Sequence, residues 1–416
     1  MGVFIINGGR RLDGVVRVQG AKNSALPILA ASLLASGTTI IHNCPDISDV
    51  DAAIKILRHL GCMAVRDGDS VAVDSSSITR CDIPDGLMRE MRSSVIFLGA
   101  ILARTGQAIL SMPGGCELGP RPIGIHLAAL SELGASVDER NGNIICTADA
   151  LTGCCINLPI PSVGATENSM LAASCADGTT IITNAACEPE IVELQNFLVS
   201  LGARILGAGT PTLVVEGCKF GGNTECRVLP DRIAAATYMC ACASAGGKIL
   251  VTDVCPEHLQ TVTDALTRMG CVIKTTKSSV FISSDGYLKA IKPIITRPYP
   301  GFPTDAQPVM MAAALKAEGT TVFVENIFSN RYRHVGELLR MGADIRTEGR
   351  VAMVSGVRRL HAAPVFSTDL RGGAALVVAA LGAEGATEIN EIHHIDRGYS
   401  NLEGRLCGLG ADIKRI

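Results

Sequence analysis

One cysteine and one arginine lie five residues apart in a loop where thiol chemistry is expected. Cys116 follows two glycines in the Gly- and Pro-rich segment 113–122, and Arg121 lies near the end of that segment. A neighbouring cation stabilises a thiolate and makes a thiol competent as a nucleophile or an acid near neutral pH. We therefore predict that Cys116 is reactive. Most of the 16 cysteines lie in apolar strings, and we expect those to be reduced, buried thiols.

Three cations from different parts of the chain could together hold a small anion. Lys22 opens an apolar helical run, Arg121 belongs to the cysteine loop, and Arg397 lies in a charged segment near the end of the chain. Guanidinium groups clamp phosphate or carboxylate, and helix N-termini add partial positive charge. If these groups converge, they predict a site for a small polyanion.

Acids and further arginines accompany these cations. Asp305 follows a proline-rich approach, and Asp369 and Arg371 lie two residues apart. Arg92 adds another cation. Arg331 follows an asparagine in a loop, where a solvated surface arginine and a functional one fit the sequence equally well. An isolated ion pair on a surface contributes little, so only their convergence would give these residues a chemical role.

The overall composition excludes several classes of protein. The 416 residues include 37 Lys+Arg and 40 Asp+Glu, a balance that gives no basic field for nucleic acid or for a membrane surface. Although 47% of the residues are hydrophobic, no apolar run reaches the ~20 residues that span a bilayer. The eight histidines show no metal-ligand spacing. We expect a cytoplasmic protein without a secretory leader, a metal or another cofactor.

The chain is built from a repeat that positions these residues. A Leu/Met-Gly-Ala/Cys signature recurs six times at intervals of 68 to 73 residues, and a strand that starts with glycine precedes each copy. In the first copy, a helix with capping-box spacing at Ser48 and Asp51 ends at Gly61, and a hairpin turns at Asp67 and Gly68. A second helix is predicted over residues 85–104. Each unit therefore reads strand, helix, hairpin, helix.

The last copy stops one strand short of its hairpin, and the N-terminal residues resemble the missing piece. We therefore expect the six units to form two lobes of three, a continuous lobe of residues 22–229 and a discontinuous lobe of residues 1–21 plus 230–416. The continuous lobe would carry the Cys116 loop, and the discontinuous one Asp305, Asp369 and Arg397. A cleft between two lobes is the usual place for a ligand, so we expect the active site there.

The charged segments, taken together, resemble those of the UDP-N-acetylglucosamine enolpyruvyl transferase family, within the EPSP synthase-like superfamily. The resemblance runs along essentially the whole chain. It is carried by residues 20–27, 113–116, 121–122, 161–168, 188–192, 230–233, 302–305, 368–371 and 392–399. It implies an α/β fold, an inside-out α/β barrel in two pseudo-threefold lobes of three repeated units each.

The resemblance also implies an activity. The 3′-hydroxyl of UDP-N-acetylglucosamine would add to phosphoenolpyruvate, and loss of phosphate would then leave an enolpyruvyl ether, the first committed step of peptidoglycan synthesis. Such an addition–elimination needs an acid, a base and charge compensation. By this resemblance Cys116 is the general acid, Asp305 receives the hydroxyl proton, and Lys22 and Arg397 complete the catalytic set. Both substrates, phosphoenolpyruvate and UDP-N-acetylglucosamine, would be small molecules. We expect the protein to bind neither nucleic acid nor a membrane.

The resemblance assigns the remaining contacts position by position. Phosphoenolpyruvate would be held by Lys22, Asn23, Cys116, Arg121 and Arg397. The nucleotide sugar would be held by Arg92, Arg121, Pro122, Ile123, Gly124, Ile125, Ser162, Val163, Gly164, Asp305 and Ile327. Asp369, Arg371 and Arg331 would support the reacting centre.

The chain departs from the family pattern at three places. Gly124 stands where the family usually has Asp, Ser329 where an acid is common, and Gly372 and Gly373 where Ala-Ser is common. These departures leave open a catalytically weak, sugar-nucleotide-binding paralogue with a regulatory role. The related transferase acting on shikimate 3-phosphate is another alternative, although its members lack the Pro-Gly-Gly-Cys loop. A six-unit scaffold that only binds a protein partner would not explain why the charged loops differ among copies.

Overall fold

The computed structural model describes residues 2–91, 93–112 and 123–416. The first strands are β1 (Phe4–Asn7) and β2 (Leu12–Arg17). There follow α1 (Lys22–Ala31), β3 (Thr38–His42), α2 (Ser48–His59), β4 (Met63–Asp67), β5 (Ser70–Asp74), β6 (Asp82–Ile83), α3 (Asp85–Glu90), α4 (Phe97–Thr105), β7 (Gln107–Ser111), α5 (Ile123–Glu132), β8 (Ser136–Arg140), β9 (Asn143–Thr147), β10 (Cys155–Asn157), α6 (Val163–Ala173), β11 (Thr179–Thr183), α7 (Pro189–Ser200), β12 (Arg204–Leu206), β13 (Thr212–Glu216) and β14 (Thr224–Arg227).

The rest of the chain continues the same alternation. Its elements are α8 (Arg232–Ala245), β15 (Gly247–Thr252), α9 (Gln260–Arg268), β16 (Val272–Thr275), β17 (Ser279–Ser284), β18 (Ile294–Ile295), α10 (Gln307–Ala314), β19 (Thr320–Val324), α11 (Val335–Arg340), β20 (Asp344–Glu348), β21 (Val351–Ser355), β22 (Pro364–Phe366), α12 (Leu370–Leu381), β23 (Ala386–Asn390), α13 (His393–Asp396), α14 (Leu402–Gly408) and β24 (Asp412–Arg415). Short 3₁₀ turns lie at Ser32–Leu34, Ser94–Ile96, Pro256–Leu259 and Arg331–His334.

The described residues form six four-stranded sheets, and their shared pattern confirms the sixfold repeat. The strand orders are β14-β3-β5-β4, β6-β7-β9-β8, β10-β11-β13-β12, β2-β15-β17-β16, β18-β19-β21-β20 and β22-β23-β1-β24. In each sheet the first two strands are parallel, and the last three are antiparallel neighbours. In four of the sheets the parallel outer strand is joined to its neighbour by a helical crossover, whereas β14 and β2 pair with strands that are distant in sequence.

The N-terminal residues complete the last sheet, as the sequence predicts. Phe4 of β1 lies opposite Ile389 of β23 on one side and Arg415 of β24 on the other. The next strand, β2, instead joins the fourth sheet, where Leu12 pairs in parallel with Gly247 of β15. The N-terminal segment thus serves two sheets rather than the sixth copy alone.

The chain divides into two compact units, each with its own core. The discontinuous unit comprises residues 2–19 with Pro230–Ile416, and the continuous unit comprises the described residues of Gly20–Leu229. In the discontinuous unit, α8, α10 and α12 pack against one another, and nearly all their side chains are buried. Their many alanines allow close approach of the helix axes. In the continuous unit, α4 packs against α1 and α6.

Two local predictions for the first copy are wrong, whereas its turns are confirmed. Ser48 is the first residue of α2, and Ile47 occupies the N-cap without a side-chain hydrogen bond, so no capping box forms there. The helix predicted over residues 85–104 is broken, because Met91 is extended and its carbonyl accepts both the amide and the hydroxyl of Ser94. Gly61 takes a φ of +104° after α2, as a left-handed cap requires.

No helix in the described ranges has the length and apolar character needed to cross a bilayer.

Candidate functional site

The carboxylate of Asp305 is bonded to two arginines of the discontinuous unit. Asp305 lies just before α10, and its Oδ1 accepts a hydrogen bond from Arg331 Nη2 at 2.7 Å. Its Oδ2 accepts bonds from Nε and Nη2 of Arg371, at 3.3 and 3.1 Å. Arg331 also donates from Nε and Nη2 to the carbonyl of Thr304, at 3.1 and 2.8 Å. Because each carboxylate oxygen faces its own guanidinium, the plane of the carboxylate is fixed.

The two arginines are buried more deeply than the acid between them. The side chains of Arg331 and Arg371 are 1% and 3% exposed, and that of Asp305 is 27% exposed. Burial lowers the pKa of Arg371, but Tyr399 and Asp305 stabilise its charge and leave the pKa above its ordinary value. The surface alternative for Arg331 is therefore wrong, since this side chain is among the largest fully buried ones.

Asp369 starts α12 and fixes the backbone of Arg371. It occupies the N-cap, where its Oδ1 accepts hydrogen bonds from the amides of Arg371 and Gly372, both at 3.0 Å. A Cβ at Gly372 would lie 2.7 Å from Oδ2 of Asp369, and one at Gly373 would lie 2.2 Å from Oγ of Ser367. Glycine at position 372 therefore leaves room for the cap carboxylate, and glycine at position 373 leaves room for Ser367.

A buried histidine lies beside this group and remains uncharged near neutral pH. Burial lowers the pKa of His334 to about 4, Asp369 opposes that shift, and Arg331 adds to it. Its Nδ1 lies 3.2 Å from the carbonyl of Arg331, a distance at which the neutral ring donates a hydrogen bond. The charges that face one another here are therefore those of the two arginines and two aspartates.

Glu325 organises the loop that carries Ile327. Its Oε1 accepts hydrogen bonds from the amides of Ile327 and Phe328, at 2.8 and 3.0 Å. Its Oε2 accepts one from Oγ1 of Thr304 at 3.0 Å. Glu325, which is 1% exposed, therefore ties the loop after β19 to the residue that precedes Asp305. The sequence analysis did not identify it.

Arg397 lies in the same unit, directly after α13. It is half-buried, and the buried Tyr399 follows two residues later. The structure thus brings Asp305, Asp369, Arg331 and Arg371 into one hydrogen-bonded group and places Arg397 at the C-cap of a short helix.

In the continuous unit, Lys22 is the first residue of α1 and is paired with Asp49 of α2. Nζ of Lys22 forms a salt bridge with Oδ2 of Asp49, whose side chain is 0% exposed, against 10% for the lysine. Asn23, the next residue of α1, is half-buried. The charge of Lys22 is therefore balanced from the interior of the unit by an acid that the sequence analysis did not identify.

The start of α1 is also fixed by a carboxyl group from α7. Ser24 donates from Oγ to Oε2 of Glu193, and the amide of Leu229 donates to Oε1 at 2.7 Å. Burial raises the pKa of Glu193 to about 8, the neighbouring Glu190 adds to the shift, and the bond from Leu229 opposes it. This anchor of α1 is therefore proton-dependent.

Ser162 and Gly164, assigned to the nucleotide sugar, begin α6 beside a histidine. Ser162 is the N-cap and accepts from the amide of Ala165 at 3.4 Å, while Val163 is the first helical residue. A Cβ at Gly164 would lie 3.0 Å from Cε1 of His126. A side chain at this position would therefore push against that ring.

The tautomer of His126 follows from its partner, Asn168. Oδ1 of Asn168 accepts a hydrogen bond from the amide of Gly99 at 2.6 Å, so its Nδ2 is the donor group. That Nδ2 donates to the carbonyl of Val95 and lies 2.9 Å from Nδ1 of His126. Nδ1 therefore accepts, and the ring proton of the neutral histidine lies on Nε2.

Ile123, Gly124 and Ile125 form the first turn of α5. Gly124 is exposed, and among the described residues no neighbouring atom lies within 4 Å of the place its Cβ would occupy. The remaining assigned residues, Arg92, Cys116, Arg121 and Pro122, lie outside the described residues.

The geometry supports proton transfer at Asp305. A carboxylate held by two guanidinium groups is fixed in position, and its partial exposure leaves room for a hydroxyl group to approach.

Comparison with known proteins identifies relatives over the whole chain. The sequence profile of EPSP synthase (3-phosphoshikimate 1-carboxyvinyltransferase) matches residues 6–406. UDP-N-acetylglucosamine 1-carboxyvinyltransferase 2 of Caldanaerobacter subterraneus subsp. tengcongensis is 51% identical over 100% of both chains. UDP-N-acetylglucosamine 1-carboxyvinyltransferase of Geotalea uraniireducens is 45% identical, again over 100% of both chains.

Solved structures show the same fold. The enolpyruvyl transferase NikO from Streptomyces tendae has a TM-score of 0.91 at 28% identity, covering 100% of this chain and 98% of its own. EPSP synthase from Acinetobacter baumannii has a TM-score of 0.75 at 20% identity, with 100% of both chains covered, and shows likeness of fold alone.

Proposed function

Because the chain belongs to the EPSP synthase family, we propose that it is a UDP-N-acetylglucosamine 1-carboxyvinyltransferase. It transfers the enolpyruvyl group of phosphoenolpyruvate to the 3′-hydroxyl of the sugar nucleotide and releases phosphate. The product is the first committed intermediate of peptidoglycan synthesis. The observation that carries the assignment is the 51% identity, over the full length of both chains, to a relative bearing that name.

The reaction needs a base for the sugar hydroxyl, and Asp305 has this role in our proposal. The hydroxyl proton moves to a carboxylate oxygen of Asp305 while the sugar oxygen bonds to C2 of phosphoenolpyruvate. C3 takes a proton from Cys116, which gives a tetrahedral phospholactoyl intermediate. The Cys116 thiolate then takes a proton back from C3, phosphate departs, and the double bond is restored. The support for Asp305 is its fixed carboxylate and its 27% exposure between two buried arginines.

The anionic groups of the donor need cations. We assign phosphoenolpyruvate to Lys22, Asn23, Cys116, Arg121 and Arg397, because guanidinium and ammonium groups hold phosphate and carboxylate. The sugar nucleotide is assigned to Arg92, Arg121, Pro122, Ile123, Gly124, Ile125, Ser162, Val163, Gly164, Asp305 and Ile327. Two arginines hold the Asp305 carboxylate, namely Arg331 and Arg371. Asp369 is the N-cap of the helix that carries Arg371.

Each unit is proposed to be an inside-out α/β barrel with pseudo-threefold symmetry. In the discontinuous unit, the mutual packing of α8, α10 and α12 and the shared order of three sheets support this arrangement. In such a fold the helices lie inside and the sheets outside, so three helix N-termini can point the same way. That arrangement concentrates partial positive charge at one end of the unit.

Phosphate release with two acceptors, measured side by side, tests the function. We expect release when phosphoenolpyruvate and UDP-N-acetylglucosamine are both present, and none when either is omitted. Release with shikimate 3-phosphate instead would replace the assignment by the related transferase. Binding of the sugar nucleotide without release, in a folded sample, would indicate the catalytically weak paralogue.

The role of Cys116 has a separate test. Fosfomycin, an epoxide phosphonate, is expected to alkylate this thiol in the presence of the sugar nucleotide, and intact mass would increase by one adduct. Cys155 and Cys407 are exposed and serve as internal controls, because peptide mapping distinguishes the three sites. An unchanged mass, or an adduct confined to the controls, would contradict a reactive Cys116.

A further inference from the structure

Arg371 makes a second set of contacts, away from Asp305, that the reaction scheme does not use. Its guanidinium lies over the ring of Tyr399, with Cζ 5.5 Å from the ring centroid. Nε and Nη2 bond to Asp305, but Nη1 is buried and has no hydrogen-bond partner of good geometry in the described part of the chain. Tyr399 therefore faces the guanidinium in addition to Asp305, and the charge of Asp231 also stabilises this cation.

The orientation of the Tyr399 hydroxyl is set by a threonine of α8. The phenol oxygen lies 2.8 Å from Oγ1 of Thr237, and that hydroxyl donates to the carbonyl of Ile233 at 2.9 Å. Since the single hydroxyl proton of Thr237 is used in that bond, Tyr399 must be the donor to Thr237. The lone pairs of the phenol oxygen are then free to stabilise a cation. Burial raises the pKa of Tyr399, and the positive charge of Arg371 opposes that shift.

The backbone on both sides of Tyr399 is fixed by one glutamine. Gln19 donates from Nε2 to the carbonyl of Gly398 at 2.9 Å, and its Oε1 accepts from the amide of Ser400 at 2.8 Å. Gln19 is 4% exposed, and Tyr399 and Thr237 are 2% and 1% exposed. A buried amide that bonds on both flanks of one residue leaves that residue little freedom. The phenol group is therefore a rigid support.

We propose that Tyr399, oriented by Thr237, is a positioning residue that holds the Arg371 guanidinium in the plane in which it fixes Asp305. The proposal rests on the proposed role of Asp305 in the transfer reaction. A series of contacts thus begins at the carbonyl of Ile233 and continues through Thr237, Tyr399 and Arg371. It ends at the carboxylate of Asp305. Loss of the phenol oxygen would leave the planar guanidinium freer to swing about its Cδ–Nε bond, and the carboxylate would lose its fixed plane.

The test compares Tyr399→Phe with a matched control from the same core. The variant keeps the ring and removes one oxygen, so we expect kcat for phosphate release to fall about tenfold while both KM values change less than about twofold. Tyr238→Phe is the control, because Tyr238 is fully buried on α8 and its hydroxyl has no hydrogen-bond partner within the described residues. That variant is expected to keep the parental kcat. Equal losses of kcat in both variants would overturn the proposal.

Thr237 provides a rescue experiment. Thr237→Val removes the acceptor of the phenol proton, and we expect the loss of kcat seen for Tyr399→Phe. Thr237→Ser keeps the hydroxyl and is expected to restore kcat to within about twofold of the parent. A serine variant as slow as the valine variant would show that packing, rather than the hydrogen bond, is what matters, and would contradict the proposal.

A double-mutant cycle separates this inference from the function on which it depends. If Tyr399 acts through Asp305, then Tyr399→Phe has no further effect on kcat in an Asp305→Asn background. Multiplicative losses would assign Tyr399 an independent structural role and overturn the proposal. If Asp305→Asn itself keeps the parental kcat, the proposed base is wrong. If only Asp305→Asn is slow, the base stands and the positioning role fails. Circular dichroism at the assay temperature verifies that every variant is folded.

Discussion

The two units hold their key charges in opposite ways. In the continuous unit, a fully buried carboxylate, Asp49, pairs with Lys22, whereas in the discontinuous unit two buried guanidinium groups pair with Asp305. Asp49 is less exposed than Lys22, and Arg331 and Arg371 are less exposed than Asp305. The difference lies in the number and sign of the buried partners: one carboxylate holds the lysine, whereas two guanidinium groups hold the aspartate. The buried partners therefore set the position of the more exposed group.

Replacing Asp305 is expected to have the largest effect. Asp305→Asn removes the proposed base and leaves two buried guanidinium groups without their shared anion, so kcat is expected to fall about 1,000-fold. Steady-state phosphate release, corrected for the folded fraction by circular dichroism, measures it. Asp13→Asn, an exposed site in the same unit, is the control. A kcat within fivefold of the parent would show that the two-arginine arrangement does not serve catalysis.

The equivalent change in the continuous unit should act first on stability. Asp49→Asn removes the buried carboxylate of the salt bridge with Lys22, and the free energy of unfolding is expected to fall by about 3 kcal/mol. Urea denaturation measures this loss. Asp51→Asn on the same helix is the matched control, because the side chain of Asp51 is 54% exposed and its ion pair with Arg66 spans 3.7 Å. Equal losses in the two variants would remove the distinction between a buried partner and a surface acid.

A smaller effect on stability is expected at Gly373, which packs closely against Ser367 in the discontinuous unit. Gly373→Ala places a Cβ 2.2 Å from Oγ of Ser367, so the free energy of unfolding should fall by about 2 kcal/mol as neighbours shift. Gly336→Ala on α11 is the control, since in the described part of the chain no atom outside the local helix backbone lies within 4 Å of its Cβ position, and it should raise stability by about 0.5 kcal/mol. Thermal unfolding compares the two, and a neutral Gly373→Ala would show that this packing yields easily.

A last effect depends on pH and belongs to Glu193 of the continuous unit. The pKa of Glu193 is raised from 4.5 to about 8 in the folded chain, so the folded state binds the extra proton between these values. Stability is therefore greatest below pH 4.5 on this account and falls by at most about 1.4 kcal/mol per pH unit up to pH 8. Glu193→Gln should flatten that part of the curve, measured by urea denaturation at several pH values. Glu216→Gln, an exposed site, should leave the slope as it is.

Much of the fold could be predicted because the same backbone conformation, a positive φ at glycine, recurs in all six copies. The glycines of the six signatures all have positive φ, between 84° and 112°, which other residues rarely adopt. They are Gly61, Gly134, Gly202, Gly270, Gly342 and Gly410. The break in the second helix could not be predicted in this way, because it depends on Ser94 competing for the carbonyl of Met91 rather than on a helix-breaking residue.

The site was less predictable, since its partners are distant in sequence. Asp49 sits in the first turn of α2, where an acid is ordinarily explained by the helix dipole, and nothing local indicates Lys22 as its partner. Arg331 follows an asparagine in a loop, and only the fold reveals that its guanidinium is buried against residue 305. Thr237 lies inside an apolar helix, where a threonine usually bonds only to its own backbone.

The position of β1 between β23 and β24 affects how the protein can fold during translation. This strand is synthesised long before both its neighbours, β23 and β24. The continuous unit has all its strands in one stretch and can fold while translation proceeds, whereas the discontinuous unit cannot complete this sheet until β23 and β24 have been made. During that interval β1 has two unpaired edges, and hydrophobic Phe4 and Ile6 lack their core. Translation speed and chaperone access therefore bear on one unit far more than on the other.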